Sequence, residues 1–225
     1  MAAMEESGVR VLMADRPGYG GSTRQPGRTV ADFVRDVEVL ADSQGWERFA
    51  VVGGSGGGPH ALACAALLAE RVTRCAVLSG VRPRVVTLPP EEDFRGQLKQ
   101  LGSDILAQVE AGGPEYPGAP PGPPAWDDPD ARARLMTTFA DSLDGWYDDQ
   151  VALSQPWGFA PESIGVPVGI WYGTNDEFVP EDDARWLLEN IPGAQGHQYP
   201  GGHLPGIATL KDIHQWVSCQ VSHEA

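Results

Sequence analysis

Phe49-Ala50-Val51-Val52-Gly53-Gly54-Ser55-Gly56-Gly57-Gly58-Pro59-His60-Ala61-Leu62-Ala63 reads as a short apolar strand, an abrupt glycine-rich turn and the start of a helix. Phe49 to Val52 are aromatic, small or β-branched, which suits a strand buried on both faces. Ala61 to Leu68 is rich in Ala and Leu, which suits a buried helix. Between them, Gly53-Gly54-Ser55-Gly56-Gly57 fits the G-x-S-x-G nucleophile elbow. In such a turn the neighbours of the serine cannot carry side chains without collision, and the serine is pushed out above the strand ends. The plain alternative is a glycine-rich strand-helix turn, or a phosphate cradle at a helix N-terminus. A Walker loop would need Gly-Lys-Ser/Thr, and no lysine is near. The dinucleotide fingerprint comes closer, because Gly53, Ser55 and Gly58 give G-x-S-x-x-G. Residues elsewhere in the chain have to decide.

Upstream, Val9 to Ala14 reads as a short strand. It runs into Asp15-Arg16-Pro17-Gly18-Tyr19-Gly20-Gly21-Ser22, a segment dense in turn chemistry. Thr29 and Asp32 make an approximate capping box for a helix with Val30, Phe33, Val34, Val37, Leu40 and Ala41 on one face. Gly45 ends that helix. Downstream, Cys75 to Leu78 is another apolar strand, ending at Ser79-Gly80. Alternating strand and helix predicts an α/β fold with a mostly parallel sheet and helices on both faces.

That alternation stops from Val81 to about Ile164. Glu91 to Ala111, Asp130 to Ser142 and Gly145 to Leu153 have helical patterns. Residues 112–124 are too rich in Pro and Gly for helix or central strand. The expected organisation is a core of residues 1–80 and 165–225 with a helical cap or lid insertion at 81–164. Trp126, Trp146, Tyr147, Trp157 and Phe159 either line an apolar pocket or form the insertion's own core. Alternation resumes with a strand at Val166 to Tyr172 and the turn Gly173-Thr174-Asn175-Asp176. An acid-led helix follows from Pro180 to Asn190. The strand His197 to Tyr199, the loop Pro200-Gly201-Gly202-His203 and a helix from Pro205 to Val217 complete the chain.

Ser55, Asp176 and His203 each fall in a loop just after an expected strand, and in an open α/β sheet those loops share one edge. A serine hydroxyl becomes a good nucleophile when a histidine can take its proton. The histidine needs a carboxylate to fix its tautomer and to stabilise the imidazolium. Among the competing histidines, His60 opens the elbow helix as a pocket-lining or capping residue, His197 sits in a strand, His214 in a helix and His223 in a tail. Glu177 and Asp183 lie near Asp176, where an acid at a helix start ordinarily just meets the macrodipole.

These motifs, with Gly202-His203-Leu204, resemble the α/β-hydrolase family, and specifically its small esterase and iminopeptidase-like members. The resemblance runs from Val9 to the C-terminus. It implies Ser55 as nucleophile, His203 as general base and acid, Asp176 as its orienter, and the Gly56 N–H as one oxyanion donor. Gly54, His60, Trp146, Trp157 and Phe178 become candidate pocket residues. A serine at the elbow, where an aspartate would be needed, disfavours haloalkane dehalogenase and epoxide hydrolase chemistry. The family pattern also has earlier strands, one with a His-Gly loop supplying a second oxyanion donor; removing such a donor costs roughly 10²–10³ in rate. Only Met1 to Gly8 precede the first expected strand here. The expectation is that the protein starts further upstream. The other two readings are that the flanking strands close up and pair, or that a partner chain fills the gap.

The expected function is a serine hydrolase acting on a small ester, lactone, thioester or N-terminal peptide bond. It would need no cofactor and no metal. For a peptide substrate, Glu91, Glu92, Asp93 and Glu110 are candidates to hold an amine. The alternative, from a different class, is a catalytically impaired homologue that binds a small molecule or a partner through the same cleft; a lyase is a third option. Composition narrows the partners. The formal net charge is -15, with 31 acidic against 16 basic residues. No basic patch offsets it, which argues against nucleic acid and anionic membranes. A homo-oligomer is compatible with it. Cys64, Cys75 and Cys219 have neither metal nor disulfide-framework spacing, which fits buried reduced thiols in a cytoplasmic protein. The N-terminus lacks a signal-peptide pattern, and the longest apolar run, Ala61 to Ala69, is too short to span a bilayer.

Overall fold

The computed structural model describes residues 9–110 and 143–219. The chain parts into two compact units: Met1–Ala14, Ala31–Arg82 and Gly158–Ala225 form one, and Asp15–Val30 and Pro83–Trp157 form the other. The expected helix at 130–142 and the Pro-rich segment 112–124 lie outside the described residues.

The first unit holds one four-stranded sheet. Its strands are β1 (Phe49–Gly54), β2 (Val72–Leu78), β3 (Val168–Gly173) and β4 (Gln195–Tyr199), in the order β1-β2-β3-β4. Every pairing is parallel. Parallel neighbours need crossover connections. Here α1 (Phe33–Ser43) precedes β1, α2 (Gly58–Leu67) joins β1 to β2, α5 (Glu181–Asn190) joins β3 to β4, and α6 (Ile207–Ser218) follows β4. Helix α2 is apolar all round, and Leu62, Ala63, Cys64 and Ala65 are all buried, as a core helix requires. Ala76, Trp171, Tyr199 and Ile213 form a buried cluster, with Leu78, Trp216 and Val217 packed on it. This cluster fixes α6 to the sheet. Burying each large apolar side chain contributes roughly 1.5–3 kcal/mol. Cys64 and Cys75 are buried free thiols, and burial pushes the Cys64 thiol up to about 12.

Four expectations are corrected at the N-terminal side. Val9 to Ala14 is not a strand, and Val9, Val11, Leu12 and Met13 are exposed. Among the described residues strand β1 is a sheet edge, bonded to β2 alone, and Val9 to Ala14 does not pair with it, so the reading in which the two flanking strands close up and pair does not hold. β1 is also not buried on both faces, since Val52 is 56% exposed. A strand is held by its ladder of hydrogen bonds, and apolar content without a paired neighbour does not make one. The first helix also begins at Phe33, four residues after Thr29; capping signals place helix ends only to within a turn.

In the second unit, α3 (Glu91–Glu110) and α4 (Asp144–Leu153) are the described helices, with the turn-rich segment 15–30 beside them. Gly18 has φ +86, and a Cβ there would stand 2.8 Å from the Gly145 backbone, so the turn packs directly against α4. An ion-pair cluster ties these elements together. Asp149 accepts hydrogen bonds from Arg16 Nη2 at 2.6 Å, Tyr19 Oη at 3.0 Å and Arg28 Nη2 at 2.5 Å. Asp148 accepts from Arg24 Nε at 2.8 Å. Asp144 pairs with Arg95 at 2.9 Å, and Arg95 also lies over the Tyr147 ring at 4.3 Å. Burial and the Asp149 charge together push the Tyr19 hydroxyl upward. No helix among the described residues is long and apolar enough to cross a membrane.

Candidate active site

Ser55 follows β1 directly and has φ 51. Left-handed backbone is costly for a residue with a Cβ and concentrates at functional turns. The surrounding glycines make the turn geometrically feasible. A Cβ on Gly53 would collide with the Gly57 carbonyl, and one on Gly58 would stand 3.1 Å from the Gly80 Cα. Residues 55–57 form one 3-10 turn, and α2 starts at Gly58 with Pro59 in its first turn. Proline suits that position because the first helical N–H groups have no partner within the helix.

Asp176 and His203 lie in the loops after β3 and β4. Backbone contacts hold these two loops together. Thr174 N–H donates to the Tyr199 carbonyl at 3.0 Å, and Asn175 N–H to the Gly201 carbonyl at 2.9 Å. A Cβ on Gly173 would meet the Gly201 and Gly202 carbonyls, so only glycine allows this approach. As a result His203 Nδ1 stands 2.9 Å from Asp176 Oδ2 and 3.1 Å from Oδ1. The Asp176 side chain is 2% exposed. Its Oδ1 also accepts from the Phe178 and Val179 N–H groups, both at 2.9 Å. Burial opposes ionisation of Asp176, but the hydrogen bonds from His203, Val179 and Phe178 outweigh it, and the carboxyl titrates below its ordinary value. With Nδ1–H donating to the carboxylate, a neutral His203 carries its lone pair on Nε2, the nitrogen that can accept a proton.

The other expected residues fall as follows. Gly56 is within the 3-10 turn after Ser55, and Gly54 ends β1. His60 is 2% exposed; its Nδ1–H donates to the Gly56 carbonyl at 2.9 Å, and its ring meets Phe33 edge-on at 5.7 Å. Phe178 is exposed, with its ring centroid 5.4 Å from that of His203. Trp146 is on α4 and partly buried, and Trp157 is buried beyond the end of α4. His197 is stacked on Trp171 at 4.2 Å within β4, and His214 is on α6. Asp183 is buried and accepts from the Arg82 N–H at 3.3 Å, and Glu91 pairs with Arg95 at 2.8 Å. Sequence pattern does not single out the hydroxyls of Ser79 and Tyr199, which lie close to the His203 backbone. The available signal was Ser79-Gly80, a post-strand pair on the strand next to the elbow strand.

The family profile described as alpha/beta hydrolase fold matches residues 1–115. The chain belongs to the α/β-hydrolase fold family. It is 29% identical over 191 residues to epoxide hydrolase A of Mycobacterium tuberculosis, an alignment covering 80% of this chain and 56% of that protein. The chain therefore spans little more than half the length of that relative. Its fold is similar to that of an enol-lactonase from Burkholderia xenovorans, with TM-score 0.65 and 20% identity, covering 91% of this chain and 77% of the other. It is also similar to a thermophilic esterase from Thermogutta terrifontis, with TM-score 0.62 and 17% identity, covering 89% and 75%.

Proposed function

We propose that this protein is a serine hydrolase working through a Ser55-His203-Asp176 triad. The observation that carries this reading is the placement of Ser55, at φ 51 on a tight post-strand turn, on the same edge of the parallel sheet as the hydrogen-bonded His203–Asp176 pair. Asp176 holds His203 in the tautomer with a basic Nε2. His203 takes the Ser55 proton as Oγ attacks the substrate carbonyl, and the Gly56 N–H stabilises the oxyanion. His203 then returns the proton to the leaving group. Water, activated by the same histidine, releases the acid from the acyl-enzyme. The substrate class is a small ester, lactone, thioester or N-terminal peptide bond.

The epoxide hydrolase likeness does not redirect this proposal. Opening an epoxide through a covalent ester would need a carboxylate nucleophile at the elbow, and the elbow residue here is Ser55. The deciding experiment is labelling with a fluorophosphonate probe, which modifies activated serines. The wild type is expected to label and Ser55→Ala not to. Labelling that survives the substitution would remove Ser55 from its role. A panel of esters, lactones and aminoacyl amides then separates the substrate classes.

A further inference from the structure

Ser55 and Ser79 are the two non-glycine residues with positive φ among those described, at 51 and 45. They directly follow neighbouring parallel strands, β1 and β2. The Ser55 conformation is accounted for by the elbow, whereas Ser79 has no part in the proposed chemistry. Its backbone N–H donates to the Trp171 carbonyl at 2.8 Å, which extends the β2–β3 ladder by one bond and fixes the residue in place. Its side chain is turned inward. Ser79 is 2% exposed, and its Oγ is 2.9 Å from Tyr199 Oη and 3.2 Å from the His203 carbonyl. Tyr199, 4% exposed, is the last residue of β4, and its Oη lies 3.1 Å from the Gly202 carbonyl and 3.2 Å from that of His203. One of the two buried hydroxyls donates to the other across the 2.9 Å contact, and the second donates to the loop that carries the imidazole, at the Gly202 or the His203 carbonyl. That loop is otherwise rich in glycine, Gly201 having φ 131, and has little conformational preference of its own.

We propose that Ser79 and Tyr199 are positioning residues, a hydrogen-bonded hydroxyl pair that clamps the Gly202–His203 backbone and so holds the His203 imidazole on Asp176. This role rests on the serine-hydrolase reading above. The pair acts through the backbone of His203, without touching the reacting atoms. A buried hydroxyl without an acceptor for its proton is costly, so the pair has to bond to itself and pass its remaining proton to the loop. A histidine displaced by a fraction of an ångström transfers protons less well, and misplacement of this size costs between roughly 10- and 100-fold in rate.

The test uses Tyr199→Phe, which keeps the ring and removes the hydroxyl, and Ser79→Gly, which keeps the left-handed backbone and removes the hydroxyl. For a small activated ester, kcat is expected to fall about 10- to 100-fold in each, with KM within about twofold. The double variant is expected to be no slower than the slower single variant, because one clamp is being removed twice. The readout that a merely structural role would not move is the His203 side-chain ¹⁵N spectrum, assigned by comparison with His203→Gln. The wild type is expected to show one Nδ1–H tautomer, and each variant a mixture. Unchanged kcat with an unchanged tautomer in both variants would overturn the clamp. If the wild type hydrolyses nothing and does not label, the serine-hydrolase reading falls. The spectra then still decide whether the two hydroxyls hold His203 on Asp176.

Discussion

His203 Nδ1 stands 2.9 Å from Asp176 Oδ2, although 27 residues and a whole helix-strand unit separate the two in sequence. Replacing the carboxylate by an amide, Asp176→Asn, removes the charge that orients the ring. It also offers an NH₂ where a proton acceptor is needed. On the proposed triad, the expected result is a loss of roughly 10⁴ in kcat on the best substrate with the circular dichroism spectrum unchanged. Steady-state kinetics on the purified variant checks this.

The same carboxyl makes stability depend on pH. Its folded pKa is depressed by the His203, Val179 and Phe178 hydrogen bonds, which prevail over burial. Below the unfolded value, about 4, the unfolded chain binds the proton more readily, so stability falls with pH there. The Asp176 contribution is therefore fully present above about pH 4 and is lost as pH drops through the lower folded pKa. Urea unfolding of the wild type and Asp176→Asn across this range is expected to show a gap that is constant above pH 5 and shrinks steadily towards pH 2.

At the elbow, the proposed function and backbone comfort oppose each other. Ser55→Gly removes a Cβ from a left-handed residue, a relief of about 1–2 kcal/mol, and adds backbone entropy to the unfolded state at about 0.5–1 kcal/mol. The variant is expected to melt at or above the wild-type temperature while losing all fluorophosphonate labelling. Gly53→Ala is expected to act in the reverse direction. Its Cβ would meet the Gly57 carbonyl and force the turn open, lowering both stability and labelling. Thermal melts and gel-based labelling on the same preparations check both.

The second unit carries the most exacting electrostatics. The Arg28 side chain is 0% exposed and its ion-pair partners are Asp149 and Asp148. Asp149→Ala would leave a buried guanidinium short of its nearest carboxylate, with Arg16 and Tyr19 losing the same acceptor. Breaking a buried pair from one side costs about 3–5 kcal/mol. Denaturant unfolding is expected to show a loss of that order. The double replacement Arg28→Met with Asp149→Leu is expected to recover part of it.

Much of the sheet was legible because its signals are local. Glycine and proline punctuate loops through their own backbone limits, and short β-branched runs mark strands. The strands Val72–Leu78, Val168–Gly173 and Gln195–Tyr199, and the helices Glu91–Glu110 and Asp144–Leu153, lie within a few residues of where periodicity puts them. Val9 to Ala14 shows the limit of this reading. The segment is apolar enough for a strand, but a strand depends on a neighbour, and among the described residues β1 pairs with β2 and not with this segment.

The sequence by itself determined the chemistry on offer at the sheet's edge: a serine in a turn too tight for flanking side chains, and an aspartate and a histidine each following a strand. Local backbone sterics and the alternation of strand and helix suffice for that. Only the tertiary structure decided that the loops of Asp176 and His203 interlock through Gly173 and Gly201, that Ser79 turns inward to Tyr199, and that Asp149 gathers Arg16, Tyr19 and Arg28. Those contacts join residues separated by up to 133 positions. They form because burial forces each polar group to find a partner wherever the fold brings one, and no local pattern records which partner that is.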